Sequence, residues 1–277
     1  MRHLRINSLK TDPEKLFKLL AKKNIQLKRT SEKYDTLYDA PELTSPGHLL
    51  EYFTGYIHSQ ALTSCLASIV LSPKPDSFVL VMCASPGGKT SHLAQLMNNS
   101  GLIIANELYP DRHIPLAHTI SRLGVMNSIL TNYQAQEFPL RQRFDYVLAD
   151  VPCSGEGRVK IASNELRTIK HSGTVNQKLF ALQKKIIIRG FDLLDEKGEM
   201  LYSTCTYNPD ENESVVQYLI QNRDAKLLAI DTGFHHEPGL TKWRDNFYDR
   251  QMERAARFYP HQINSVGFFM ARISRRQ

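Results

Sequence analysis

The sequence predicts an open α/β domain built on a largely parallel sheet, preceded by a small α+β unit. Three observations carry this expectation. From Ser77 onward, short apolar runs alternate with stretches of helical spacing, the pattern of strands buried on both faces and joined by crossover helices. The turn after the first run is made of small residues, Cys83-Ala84-Ser85-Pro86-Gly87-Gly88. At 277 residues the chain exceeds the usual single-domain length, so a domain of about 200 residues with a small appendage is the natural division.

In chain order, Leu4 to Ser8 reads as a short strand. Asp12-Pro13-Glu14 then opens a helix: Asp caps free N–H groups, Pro is tolerated in the first turn, and the early acid suits the positive helix end. Leu16, Phe17, Leu19 and Leu20 keep helical spacing. Asn24–Leu27 and Thr36–Tyr38 are expected strands, and the turn cluster Ser45-Pro46-Gly47 is the expected boundary between a unit over 1–47 and a larger domain over 48–277. Basic residues recur in the first unit, at Arg2, Arg5, Lys10, Lys22, Lys23, Lys28 and Arg29. They form either a solvated face or a surface that grips a polyanion. In the larger domain five buried strands are expected at Phe78–Met82, Leu102–Ala105, Ile129–Leu130, Phe144–Ala149 and Glu199–Tyr202. Helices fit between them at Lys89–Met97, Pro110–Leu123 and Asn176–Leu194, and Asn208-Pro209-Asp210-Glu211 is expected to open another.

Composition narrows the function. The apolar fraction of 42% is enough for a packed core, and 35 Lys and Arg against 28 Asp and Glu give a net charge of +7, which leans toward a polyanionic partner. The four cysteines, Cys65, Cys83, Cys153 and Cys205, form no C-x-x-C pair, so no structural metal is expected. Free thiols, and a start without the apolar core of an export signal, lead to the expectation of a cytoplasmic protein. Apolar stretches are interrupted within about ten residues, short of the roughly 20 that cross a bilayer. No membrane association is expected.

The loop after the first strand is the candidate cofactor site. Small residues there let a ligand approach the backbone at the positive end of the next helix. A phosphate-binding P-loop would need Gly where Cys83 stands, and the G-x-G-x-x-G fingerprint is absent, so a nucleotide phosphotransferase is the weaker alternative. Glu107 ends the second strand 20 residues past Gly87, the spacing at which an acid meets a ribose hydroxyl pair. A nucleoside ligand carrying little phosphate suits both features, and S-adenosylmethionine leads.

Two cysteines then follow at strand ends, in Asp150-Val151-Pro152-Cys153-Ser154-Gly155 and Ser203-Thr204-Cys205-Thr206, where open α/β sheets bind ligands. One such cysteine alone reads as an inert core residue. A pair beside a carboxylate matches a specific chemistry. Carbon 5 of cytosine is a poor nucleophile until a thiolate adds at carbon 6. An acid at ring nitrogen 3 relieves the charge that accumulates, and a second group helps the adduct break down.

These segments, with Cys83-Ala-Ser-Pro-Gly-Gly-Lys-Thr90, resemble the signature blocks of the Nop/Sun family of RNA cytosine-5 methyltransferases. Arg5-Ile-Asn-Ser-Leu-Lys10, Gly55-Tyr56 with Gln60, Arg257-Phe-Tyr-Pro-His261 and Gly267-Phe-Phe269 agree, so the resemblance covers almost the whole chain. DNA cytosine methyltransferases carry the Pro-Cys pair without a Thr-Cys block; having both marks the RNA family. The resemblance implies a Rossmann-like S-adenosylmethionine-dependent methyltransferase fold acting on rRNA or tRNA, closest to the bacterial RsmF type in a compact form. It implies Cys205 as nucleophile, Cys153 as the group assisting release, and Asp150 on the target base. It further implies a cofactor held by Cys83, Ala84, Ser85, Pro86, Gly87, Gly88 and Lys89, with Glu107 on the ribose, Arg112 close by, and Asp150 and Gln134 also in the cofactor-binding set. Two positions depart from the family, which usually has Asp at Val81 and at Gln134. An amide at Gln134 still accepts from an adenine amino group, with less electrostatic help. An RNA-binding protein with weak or lost cofactor binding is therefore the competing expectation.

Overall fold

The computed structural model describes residues 3–41, 43, 45–158 and 173–276; Arg2 of the basic set lies outside them. A small antiparallel sheet comprises β1 (His3–Ile6), β2 (Lys28–Arg29), β3 (Leu37–Asp39) and β4 (Ile57–Ser59), in the order β2-β3-β1-β4. Helix α1 (Pro13–Ala21) lays Leu16 and Leu20 against Leu4, Ile6, Tyr38 and Ile57 of this sheet. Asp12 caps it as the sequence predicts, its Oδ1 accepting from the Glu14 N–H at 2.8 Å. Asn24–Leu27 does not form a strand. Asn24 takes a positive φ of 57° and the Ile25 N–H returns to the Leu20 carbonyl, so this segment closes the helix and strand pairing starts at Lys28.

The small sheet also extends past the turn at Gly47. After α2 (Leu50–Phe53), β4 pairs Leu4 with Ser59 and Ile6 with Ile57. Arg5 departs from the expected basic face as well. Its side chain is fully buried on the far side of β1, while Lys10, Lys22, Lys23, Lys28 and Arg29 are exposed.

The main sheet contains β5 (Phe78–Val81), β6 (Leu102–Asn106), β7 (Ser128–Thr131), β8 (Phe144–Asp150), β9 (Leu194–Thr204), β10 (Ala225–Leu228) and β11 (Glu237–Pro238). A separate two-stranded hairpin, β12 (Lys242–Trp243) with β13 (Asn246–Phe247), interrupts the order before β14 (Ala256–Phe258) and β15 (Phe268–Arg275) complete it. Its order is β11-β14-β15-β9-β8-β5-β6-β7, with β10 also on β15. The five strands read from the sequence, β5 to β9, are the mutually parallel ones. The others are antiparallel additions beyond β9.

Helices α3 (Leu62–Leu71), α4 (Gly88–Leu96), α5 (Pro110–Leu123), α6 (Gly173–Asp192), α7 (Glu213–Asn222) and α8 (Pro260–Ile263) complete the fold. Alternation along the strands feeds two apolar layers. Val79 and Val81 of β5 enter one with α3 and α4, while Leu80 enters the other with α6 and α7. Each fully buried aliphatic side chain contributes about 1.5–3 kcal/mol. No described helix is long and apolar enough to cross a membrane.

The helix expected at Asn208 starts later, at Glu213. Asn208 instead closes a turn, its Oδ1 accepting from the Asp210 N–H at 3.0 Å.

Candidate active site

Because β5, β6, β8 and β9 run parallel, their carboxyl ends share one edge of the sheet. There the predicted residues converge. The loop from Cys83 to Gly87 is held from below, the Ala84 N–H donating to the Asn106 carbonyl at 2.8 Å. Gly87 has φ 99°, and a Cβ on it would lie 3.1 Å from Leu116 and Thr119, so neither the turn nor the approach of α5 admits a side chain. Gly88 then starts α4, whose first N–H groups lack intrahelical partners and face the loop. The Cys83 thiol is pushed up to about 12 by burial, reinforced by the carboxylates of Glu107 and Asp150.

Glu107 is only 2% exposed at the end of β6. Its Oε2 accepts from the Ser85 N–H at 3.2 Å and its Oε1 from the Tyr109 N–H at 3.3 Å, with Arg112 Nη1 at 3.4 Å. Arg112 also donates to the Ser85 carbonyl at 3.1 Å, so loop and acid form one unit. Each carboxylate oxygen keeps lone-pair capacity for a further donor. Gln134 is exposed beyond β7, its Oε1 accepting from Gln136 Nε2 at 2.7 Å. Val81 is wholly in the core.

Register explains the rest. β8 and β9 pair Asp150 with Ser203, so the segments leaving those positions run side by side. Three residues past Asp150 and two past Ser203, Cys153 Sγ and Cys205 Sγ lie 3.1 Å apart, and the Cys205 N–H donates to Cys153 Sγ at 3.3 Å. Asp150 accepts from Ser203 Oγ at 2.8 Å on one oxygen and pairs with Lys89 Nζ at 2.7 Å on the other. The Lys89–Asp150 pair is 14% and 28% exposed, an ion pair at the rim of the site.

The two thiols are not equivalent. Cys205 is lowered from the ordinary thiol range, first by the hydrogen bond from Cys153 and then by Arg158 and Lys89, against burial and the Asp150 charge. Cys153 is raised by the same contact and by burial. When this pair loses a proton, the contact favours the negative charge on Cys205 and the remaining proton on Cys153.

Three supports were not anticipated. Asn106 is fully buried and ties three strand ends, donating to the Met82 and Tyr133 carbonyls and accepting from Thr131 Oγ1. Ser203 orients Asp150. Glu211, also fully buried, accepts from the Ser154 N–H at 2.9 Å and from Gln183 Nε2 at 2.9 Å, fixing the Cys153 loop. Asn106 stands next to Glu107 in sequence and Ser203 opens the block that contains Cys205, which is the only signal either gives; Glu211 read as part of a helix start.

Among the described residues, no cluster of three or more His, Cys, Asp or Glu side chains could hold a metal ion.

Comparison with known proteins places the chain among methyltransferases. The chain is 32% identical to a tRNA (cytosine(49)-C(5))-methyltransferase of Pyrococcus abyssi, over 98% of this chain and 87% of that protein. It is 34% identical to a 28S rRNA (cytosine-C(5))-methyltransferase of Mus musculus, over 98% of this chain and 35% of that one. The chain spans less than half the length of that mouse protein and of its human, nematode and fission-yeast counterparts. Among solved structures, a methyltransferase homologue from Pyrococcus horikoshii superposes with a TM-score of 0.86 at 34% identity, covering 99% of this chain and 86% of that one. NSun6 from the same organism, solved with SFG, gives a TM-score of 0.85 at 26% identity, covering 99% of this chain and 90% of that one. The fold is thus that of Rossmann-like methyltransferases. With the family model described as 16S rRNA methyltransferase RsmB/F matching residues 68–274, the chain belongs to the RsmB/F family.

Proposed function

We propose that this protein transfers a methyl group from S-adenosylmethionine to carbon 5 of a cytosine in RNA through a covalent Cys205–cytosine adduct. The observation that carries this reading is the thiol pair, 3.1 Å apart beside the Lys89–Asp150 ion pair. The relatives' names divide between rRNA and tRNA, so the acceptor is stated as RNA, in a reducing, cytoplasmic setting that keeps both thiols free.

The donor set suits the cofactor. Glu107 is a buried carboxylate with spare acceptor capacity for a ribose diol, and the α4 terminus with the Cys83–Gly88 backbone suits a carboxylate. For the adenine, the exposed Gln134 amide is the candidate partner. When bound, S-adenosylmethionine supplies an electrophilic methyl group. The Cys205 thiolate adds to carbon 6 of the base, and the electrons of the 5,6 double bond move to carbon 5, which becomes nucleophilic. Asp150, oriented by Ser203 and paired with Lys89, accepts a hydrogen bond from the exocyclic amino group beside nitrogen 3 of the base. After methylation the carbon 5 proton leaves to a solvent-borne base, the double bond re-forms, and the Cys205 thiolate departs. Cys153 S–H then donates a hydrogen bond to the departing thiolate.

The decisive experiment is Cys153→Ala with radiolabelled cofactor and RNA. We expect a methylated protein–RNA adduct, visible on a denaturing gel, sensitive to ribonuclease and lost when Cys205→Ala is added. An adduct from Cys205→Ala but not from Cys153→Ala would exchange the two roles. No adduct from either variant, in a protein whose wild type methylates RNA, would sink the division of labour.

Glu107→Ala is expected to weaken S-adenosylmethionine by about ten- to a hundredfold, the loss for a hydrogen bond to a charged group. Calorimetry reads this directly. An unchanged dissociation constant removes Glu107 from the site, and no binding by wild type at millimolar cofactor favours the RNA-binding alternative.

A further inference from the structure

The β12–β13 hairpin has no role in the chemistry above, and its composition is unusual for a surface turn. All six residues from Lys242 to Phe247 are exposed. They include the only tryptophan of the chain, Trp243, and Phe247, which is 72% exposed. Each ring carries a cation. Lys242 stands directly across the strand pair from Phe247, its Nζ 4.9 Å from the ring centroid, and Arg244 Cζ lies 5.7 Å from the Trp243 ring. The tip turns through Arg244 at a positive φ of 53°, and Asp245 is the acid there.

Phe247 stands largely clear of the fold, and Trp243 is 38% exposed. A hairpin with two residues per strand has little stability of its own, and this one is anchored by the residue after it. Tyr248 is buried, its hydroxyl 2.9 Å from Ser214 Oγ, and the Asp249 N–H donates to Gln217 Oε1 at 2.7 Å. Ser214 and Gln217 lie on α7, which leaves the catalytic edge of the sheet just after Cys205. The root is also tied to that edge: Glu213 accepts from the Leu240 N–H and pairs with Arg257, which donates to the Tyr207 carbonyl. The hairpin is therefore a rigidly rooted pair of rings with cations, attached beside the nucleophile's own loop.

We propose that this hairpin is a stacking platform for single-stranded RNA next to the reacting cytosine, an inference that rests on the RNA reading above. Trp243 and Phe247 would stack on bases, which is tolerant of sequence because every base has a π face, while Lys242 and Arg244 meet phosphates. The net charge of +7 favours the same partner. A hydrophobic protein partner would be poorly matched to rings that each carry a cation.

The single tryptophan makes the test direct, because indole fluorescence reports Trp243 alone. A short, end-labelled, single-stranded oligocytidylate RNA is titrated with the full chain, and tryptophan quenching and label anisotropy are followed together. Quenching that saturates with the anisotropy is expected. Trp243→Ala and Phe247→Ala are each expected to weaken binding by about five- to a hundredfold with an unchanged thermal midpoint, and Trp243→Phe to restore it. RNA that binds by anisotropy without quenching, and equally to Trp243→Ala, overturns the hairpin proposal and leaves the RNA reading standing. No anisotropy change at low salt, with this RNA or with folded tRNA, overturns both. A fluorescence change that tracks protein concentration without RNA, with dimers in sedimentation, assigns the hairpin to self-association instead.

Discussion

Helix α4 separates two polar clusters that treat charge in opposite ways. Toward the small sheet, Ser91 and Gln95 bind the guanidinium of Arg5, and His58 and His92 lie in the same region. Toward the catalytic edge, Lys89 of the same helix meets Asp150 and the thiol pair. In the first cluster burial dominates. His58 is driven down to about 3 by burial and then by Arg5 and Arg122, His92 falls well below its ordinary value, and the nearby Cys65 thiol rises to about 12. Even Arg5 drops to about 10, its hydrogen-bond partners being neutral. In the second cluster Lys89 and Asp150 pair with each other, and the Cys205 thiol is lowered, first by the hydrogen bond from Cys153 and then by Arg158 and Lys89. A sequence motif alone does not distinguish these outcomes; burial and the neighbouring thiol do.

The largest expected contrast is in thiol reactivity. With Cys65 and Cys83 both near 12, only about one thiol in 10⁴ is ionised at pH 8, whereas Cys205 lies below the ordinary thiol value. Iodoacetamide at pH 8 should therefore label Cys205 at least about a thousandfold faster than Cys65 or Cys83, as read by peptide mass spectrometry. Comparable rates at all three would erase the distinction between the clusters. Lys89→Met should slow Cys205 labelling at fixed pH, because it removes a cation and leaves Asp150 unbalanced beside the thiol.

Acid should find the other cluster. A histidine whose folded value is depressed contributes stability that is complete above its unfolded value near 6.5 and is lost as pH falls toward the folded value. For His58 that window runs from 6.5 down to about 3, with a slope of up to about 1.4 kcal/mol per pH unit. Neutral His58 accepts from Arg122 Nη2 through Nδ1 at 2.9 Å, and a protonated ring cannot. Urea midpoints should fall steadily between pH 6.5 and 5, and His58→Gln, which keeps an acceptor, should flatten the decline. A midpoint indifferent to pH in that range would show that the cluster is hydrated and not dry.

The two clusters also differ in how far they could be read from sequence. β5 to β9 were legible because strands buried on both faces are continuous apolar runs, and the Cys83–Gly88 turn and both cysteine blocks sit at their ends. The contacts that set chemistry were less so. Lys89 and Asp150 are 61 residues apart and meet because β5 and β8 are neighbours in register, information that no local window contains. Arg5 reads as a surface charge because arginine is rarely buried without an acid; only the packing of β1 on α4 turns it inward. The antiparallel strands β10, β11 and β14 are two to four residues long, too short for period-two alternation to register. β4 went unread for the same reason, so the small sheet extends past its expected turn.

The smallest effect belongs to Cys65, and it asks whether that thiol is anything more than a core atom. It is 1% exposed in α3, packed with Leu62, Leu66, Leu93 and Met270, and hydrogen-bonded through its backbone N–H to the Ala61 carbonyl. Cys65→Ala preserves the helix and that backbone bond, and removes one sulfur from an apolar layer. The loss should be about 1 kcal/mol, near that for one buried methylene plus the small gap left behind. For a domain of this size that corresponds to roughly 2–4 °C in thermal midpoint. Methyl transfer should be unchanged, since the substitution leaves in place the Ser68 Oγ to Lys89 carbonyl hydrogen bond that joins α3 to α4. A loss of activity at unchanged stability would mean that the cluster around Arg5 communicates with Lys89 through α4, and the two faces of that helix would then have to be treated as one site.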